Sequence, residues 1–151
     1  MTESRTYSSR RYAIVAALVN LVKTIDGRDF FRCDLNSNVY PTLKYFDEVA
    51  DYPAVCITAG QETRDYQTGG YRDRYLDVRI MLFIKEEDPL EKCEALLEDI
   101  ETLIEDNGRL AYTDRDGNIQ YTHDITILAL SSDEGTLDPM SVGEMNIRVH
   151  Y

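Results

Sequence analysis

Tyr75-Leu76-Asp77-Val78-Arg79-Ile80-Met81-Leu82-Phe83-Ile84 is the stretch on which the fold turns. Side chains alternate across an extended chain, so Leu76, Val78, Ile80, Leu82 and Ile84 share one face of a strand. Tyr75, Asp77, Arg79, Met81 and Phe83 share the other. The first face is wholly apolar and belongs in the core. The second begins polar and turns apolar at Met81 and Phe83, so that end is expected to be covered by more of this chain or by another chain. Directly afterwards the period changes. Asp88-Pro89 opens a helix, with proline in the first turn and acids at the positive end of the dipole. Leu90, Cys93, Leu97, Ile100 and Ile104 then recur at steps of three and four, with Leu96 and Leu103 beside them. Acidic side chains fill the rest of the circumference, and Asn107-Gly108 is read as its end.

Upstream, Ile14, Val15, Leu18, Leu21, Val22 and Ile25 repeat at helical spacing after Ser8 and Ser9, which gives a serine-capped amphipathic helix ended by Asp26-Gly27. Periodicity is lost between Arg28 and Tyr52, where a surface-wrapping segment is expected, with a short strand near Arg32 to Leu35. Ala54 to Ala59 reads as a strand starting just after Pro53. Residues 62–73 carry no apolar period and read as a long loop. Downstream, Leu110-Ala111-Tyr112 and Ile119-Gln120-Tyr121 flank Asp116-Gly117, a hairpin signature. Ile125, Ile127 and Ala129 alternate in a further strand, a loop spans Ser131 to Ser141, and Met145, Ile147, Val149 and Tyr151 alternate in a last one. This order predicts a single α+β domain over 1–151: a mostly antiparallel sheet with two helices packed on one face.

Composition narrows the function. The chain has 151 residues, 43% hydrophobic and 29% charged, with a formal charge of −12. That is too apolar for a disordered acidic chain and long enough for one core. The longest apolar run, Ala13 to Val19, is far below the roughly 20 residues that span a bilayer. No membrane helix and no apolar secretory stretch is read, which places the protein in the cytosol of its producing cell. Cys33, Cys56 and Cys93 are odd in number and unpaired in spacing, against a disulfide framework or a zinc site. The acidic balance argues against a duplex-DNA reader. The charge is also uneven: residues 1–28 hold five basic residues against two acidic ones, whereas residues 86–107 hold ten acidic residues against Lys92. Such asymmetry suggests an oriented surface.

A search for chemistry finds little. His123 and His150 each fall near a strand end without a third ligand. Cys93 lies on the apolar stripe of the acidic helix and Cys56 in a strand, both core positions. There is no nucleophile elbow, Walker lysine or dinucleotide fingerprint. The acids of the helix stand on a polar face, where their pKa values stay low. No catalytic, metal or cofactor residues are assigned. The 62–73 loop is left. It brings together Arg64, Tyr66, Tyr71 and Arg72, residue types enriched at interface hot spots, around Gly69-Gly70.

The element order and three motifs resemble the tail terminator proteins of long-tailed, non-contractile bacteriophages, the family that includes the phage lambda minor tail protein U. The resembling residues are Tyr52-Pro53-Ala54-Val55-Cys56-Ile57-Thr58-Ala59-Gly60-Gln61-Glu62, the helix from Leu90 to Glu105, and Asp133-Glu134-Gly135 with Pro139 before Met145-Asn146-Ile147-Arg148-Val149-His150-Tyr151. The resemblance implies a non-enzymatic virion protein without a cofactor, assembled in the host cytoplasm and located at the head-proximal end of the tail. It implies a homo-oligomer, a hexameric ring that caps the completed tail tube protein, stops polymerisation and offers a surface to head-completion proteins. Contact with the tape-measure protein and passage of DNA through the channel without specific binding complete that expectation. Candidate partner or oligomer contacts are Arg10 and Arg11 on the first helix, Glu62, Arg64, Tyr66, Tyr71, Arg72 and Arg74 in and beside the loop, and Glu98, Glu101 and Glu105 on the acidic helix. Another head–tail connector is the alternative in the same class. A small-molecule enzyme or binding module using His123, His150 and nearby acids is the alternative in a different one.

Overall fold

The alternating stretch at 75–84 is the central strand of a five-stranded sheet, paired on both sides. The computed structural model describes residues 10–29, 31–45, 48–49, 51–134, 136–137 and 139–151. The serine cap expected at Ser8 and Ser9 lies outside them. In chain order the elements are α1 (Arg10–Val22), β1 (Val39–Tyr40), β2 (Ala54–Tyr66), β3 (Arg72–Lys85), α2 (Pro89–Asp106), β4 (Ala111–Thr113), β5 (Ile119–Tyr121), β6 (Asp124–Ser132) and β7 (Met140–His150). The sheet runs β1-β2-β3-β7-β6, antiparallel throughout except that β1 is parallel to β2; β4 and β5 form a separate hairpin.

Both helices cover the face that carries Leu76, Val78, Ile80, Leu82 and Ile84, all buried. Ile14, Leu18 and Val22 of α1 and Cys93, Leu96, Leu97, Ile100 and Ile104 of α2 complete one core with Met145, Ile147 and Val149 of β7. Among the described residues the opposite face is covered only at the Phe83 end. There Ala54, Cys56 and Phe83 are buried together with Val49, and Lys44 and Glu48 are the charged neighbours of Cys56, so the cover comes from this chain itself, at Lys44, Glu48 and Val49.

Several expectations are corrected. The short strand expected near Arg32 to Leu35 is a single bridge, Asp26 to Asp34; the paired residues are Val39 and Tyr40 instead. α1 stops at Val22, so Ile25 is buried from the turn after the helix rather than from its stripe. Leu90 is exposed, and in the first turn of α2 it is Pro89 that is buried instead. That helix does end at Asn107, as expected, where the side chain donates to the Leu103 carbonyl at 2.8 Å. Gly117 does take the positive φ that its hairpin turn requires.

One glycine sets how closely α2 sits on the sheet. A Cβ at Gly143 of β7 would lie 2.8 Å from Cys93 Sγ and 3.6 Å from Leu82 and Leu97. Gly143→Ala is therefore expected to lose about 1–3 kcal/mol to overpacking, read by urea unfolding. Adding Cys93→Ala should recover most of the loss, since it removes the sulfur; an unrecovered double variant would show that the clash is not the cause.

Candidate functional site

The residues read as a loop at 62–73 are a β-hairpin arm. β2 and β3 remain paired from Glu62↔Leu76 out to Tyr66↔Arg72, and only residues 67–71 form the tip, closed by the Gln67 N–H donating to the Tyr71 carbonyl at 2.7 Å. Because β7 ends its pairing at Tyr75↔His150, everything beyond that row projects past the sheet. Both faces of the arm meet solvent, which removes the apolar alternation by which a strand is recognised.

The register sorts the candidates. A bulge between Ala59 and Glu62 places Glu62, Arg64 and Tyr66 on the helix-side face, beside Arg72 and Arg74, which are in register with Tyr66 and Arg64. Tyr71 stands at the tip, 75% exposed. Arg64 pairs with Glu62 at 2.8 Å, and the Arg72 guanidinium lies over the Tyr66 ring at 5.6 Å. Arg74 has no ion-pair partner among the described residues. Like charges stand directly opposite, Arg64 to Arg74 and Asp65 to Asp73, an arrangement that weakens a free hairpin.

The first helix joins this surface. Arg11 donates to the Gly60 carbonyl at the bulge, and Arg10 and Arg74 are both close enough to bear on the Tyr112 phenol, whose pKa is raised by burial. Arg10 also faces Asp114, whose carboxyl is held below the usual range by the Asn118 N–H and the Gln120 amide. Arg10, Arg11, Arg64, Arg72 and Arg74 thus make the helix-side face of the arm basic, with Glu62 among them, while Asp65 and Asp73 stand on the other face.

The acidic candidates stand apart on α2. Glu98 and Glu105 are exposed and Glu101 is half-buried. Glu98 is tied to Arg32 at 2.6 Å. One acid expected on the polar circumference is not there. Asp99 is 3% exposed, and its Oδ2 accepts the backbone N–H groups of Arg32 and Cys33, each at 3.0 Å. Sequence reasoning missed it. The available signal was its spacing, three residues after Leu96 and four before Leu103, which puts it on the flank of the apolar stripe.

Among the described residues, the cysteines and histidines are engaged elsewhere. Cys33, Cys56 and Cys93 are free and buried; burial pushes the Cys33 thiol up to about 11, and Asp99 beside it pushes the same way. His123 and His150 do meet, with ring centroids 4.8 Å apart, but His150 is engaged by Asp73 at 3.1 Å and stacked on Tyr75 at 4.7 Å. No group of three or more metal-ligating side chains occurs among the described residues. His123 itself lies in the bend before β6 rather than in a strand. On the uncovered face of the sheet the charges are paired, Asp77 with Arg148 at 3.0 Å and Arg79 with Glu144 at 2.9 Å.

Comparison with known proteins agrees with this non-catalytic picture. The family model described as Bacteriophage Tail Tube Terminator Protein matches residues 8–151. The tail tube terminator protein of Escherichia phage T5 is 33% identical over 149 residues, covering 93% of this chain and 92% of its own length. Among solved structures, a chain of the virion of a native gene transfer agent particle superposes with a TM-score of 0.56 at 14% identity, covering 92% of this chain and 97% of that one; this likeness is one of fold.

Proposed function

Since the chain belongs to the bacteriophage tail tube terminator family, we propose that it closes into a hexameric ring on the finished tail tube, ends its growth and presents the surface to which the head is joined. It is a structural protein of the virion tail, located at the terminus of the tube, and not an enzyme. In the proposed ring the tube protein meets one side, head-completion proteins the other, and DNA passes through the centre without specific binding. The tape-measure protein inside the tube would end against the same ring.

The observation that carries this reading is the separation of two unlike surfaces, the basic arm region and the acidic α2. A cyclic assembly joins one patch to a different patch on the neighbour, and opposite charge supplies steering and register for that contact. Arg10, Arg11, Glu62, Arg64, Tyr66, Tyr71, Arg72 and Arg74 are proposed to dock on the tube or the adjacent copy, and Glu98, Glu101 and Glu105 to face a basic surface.

The test is electron microscopy of particles from infected cells lacking this protein. Tubes of abnormal length without heads are expected, and complementation with the intact chain should restore normal tails. Tails of normal length joined to heads in its absence would sink the proposal.

A further inference from the structure

The sheet has two open edges. On one side β1 covers β2 only at Val55 and Cys56, which leaves residues 57–66 without a strand partner on that side among the described residues. On the other side, among the described residues, β6 pairs only with β7. An exposed edge strand offers a row of unsatisfied N–H and C=O groups, and edges that stay single are usually blunted by lysine, proline, inward charge or a bulge. Ile125-Thr126-Ile127-Leu128-Ala129-Leu130 has no lysine, proline or charge, only the bulge between Ile127 and Ala129, and Leu128 and Leu130 are 47% and 43% exposed. Two exposed leucines on an uncharged edge favour a covering strand.

From this we infer that β6 of one copy pairs with the outer edge of β2 of the next, so that the sheet continues from subunit to subunit. The inference rests on the ring reading above and names its contact. Three features point to a second copy as the occupant. The edges match in length, nine residues of β6 against ten of β2. Their directions also match. β2 and β7 run one way and β3 and β6 the other, so a neighbour related by the rotation of a ring brings β2 alongside β6 antiparallel.

Finally, both edges are irregular beside one row. The β6 bulge between Ile127 and Ala129 and the β2 bulge between Ala59 and Glu62 lie on the two sides of the row Ile127↔Ile147, Val78↔Ile147 and Ala59↔Val78. Each edge thus bends close to where the other does. A partner with one straight strand would have to accommodate the bend at β6 without a counterpart.

The register also fixes where to look. Thr63 pairs with Tyr75, Tyr75 with His150, and His150 with Asp124, so Asp124 and Thr63 end the same row on the same, uncovered face. Both are exposed. Residues directly opposed across antiparallel strands have Cβ atoms about 4.5–5.5 Å apart, close to disulfide reach. Closing a sheet on itself adds a stagger between neighbours, so the residues one step either side on that face, Gln61 and Asp65, belong in the test.

The experiment introduces Asp124→Cys together with Thr63→Cys, Gln61→Cys or Asp65→Cys, assembles tails in infected cells, and oxidises the purified particles. The native thiols are all buried, so the introduced pair supplies the signal. A ladder of covalent multimers from one double variant, absent from both matching single variants, is the expected result. Monomer from all three double variants, with the protein still in tails and amine cross-linking still giving its multimers, overturns the edge contact while leaving the ring. No multimer by either chemistry overturns the ring reading and this contact together. Variants lost from tails are read by a second substitution, Leu130→Lys, which places a charge on the edge without touching the core: a normally assembled tail carrying it would also overturn the contact.

Discussion

Asp99→Ala is expected to lower the thermal midpoint of the isolated protein by about 10 °C. Its carboxylate is 3% exposed and holds the backbone N–H groups of Arg32 and Cys33. Alanine leaves the buried Cys33 donor and the part-buried Arg32 donor without this acceptor, and a buried loss of this kind costs roughly 1–3 kcal/mol, the part-buried one less. About 3 kcal/mol in total, at roughly 2–4 °C per kcal/mol for a chain of this size, gives the stated shift. The mechanism predicts an order. Asp99→Asn keeps an oxygen acceptor and should lose less, and Asp99→Leu should fare no better than alanine despite its apolar bulk, because the orphaned donors are the same. Glu98→Ala removes only the exposed pair with Arg32, worth about 0–1 kcal/mol. Scanning calorimetry on the four variants checks the order; equal losses at Glu98 and Asp99 would refute the assignment of the loss to the backbone donors.

Asp99 also shows why part of the molecule was legible in the sequence and part was not. The core elements were readable because burial writes a period into the residues: Leu76 to Ile84 alternate, and Cys93 to Ile104 step by three and four. The α+β class follows from their order. The 62–73 arm was not readable as strand, since hydrogen bonding holds it extended while neither face is buried, and period reports burial only. For the same reason Cys33 and Leu35, buried within an aperiodic segment, gave no sign that this segment is pinned to α2 through Asp99. The candidate contacts were chosen by residue type and charge. The fold brings eight of them to the arm and the start of α1, but residue type alone did not reveal that Glu62, Arg64, Tyr66, Arg72 and Arg74 share one face. That required the bulge at Gly60-Gln61, whose Gly60 is tied to Arg11.

Replacing Arg64, Tyr66, Tyr71 and Arg72 together with alanine is expected to leave the protein folded and to abolish normal tails. Three of the four lie beyond the Tyr75↔His150 row on paired strands, and Tyr71 lies at the tip, so no core contact is removed. The intramolecular losses are small: the exposed cation–π contact of Arg72 with Tyr66 is worth about 0.5–1 kcal/mol, and the Arg64 to Glu62 pair lies in the range of surface ion pairs. Thermal midpoint and circular dichroism should stay near those of the parent. Function should not. The substitution strips Tyr and Arg, the types that dominate interface energetics, from a surface that places Arg64 against Arg74 with no ion-pair partner for Arg74 among the described residues. Losing one hot spot of about 2 kcal/mol already weakens each contact about thirtyfold, and a ring repeats the contact at every subunit. Complementation of terminator-deficient phage with this variant should give overlong or headless tubes, while a quadruple alanine substitution at exposed charged residues outside both proposed surfaces, Lys23, Arg28, Lys85 and Glu87, should leave tails normal and separates the arm from a general effect of surface charge. Normal tails from the arm variant would remove the arm from the assembly contact. A variant that is unfolded would instead show that the arm's like-charged pairs are balanced within this chain, and would refute the premise that a partner balances them.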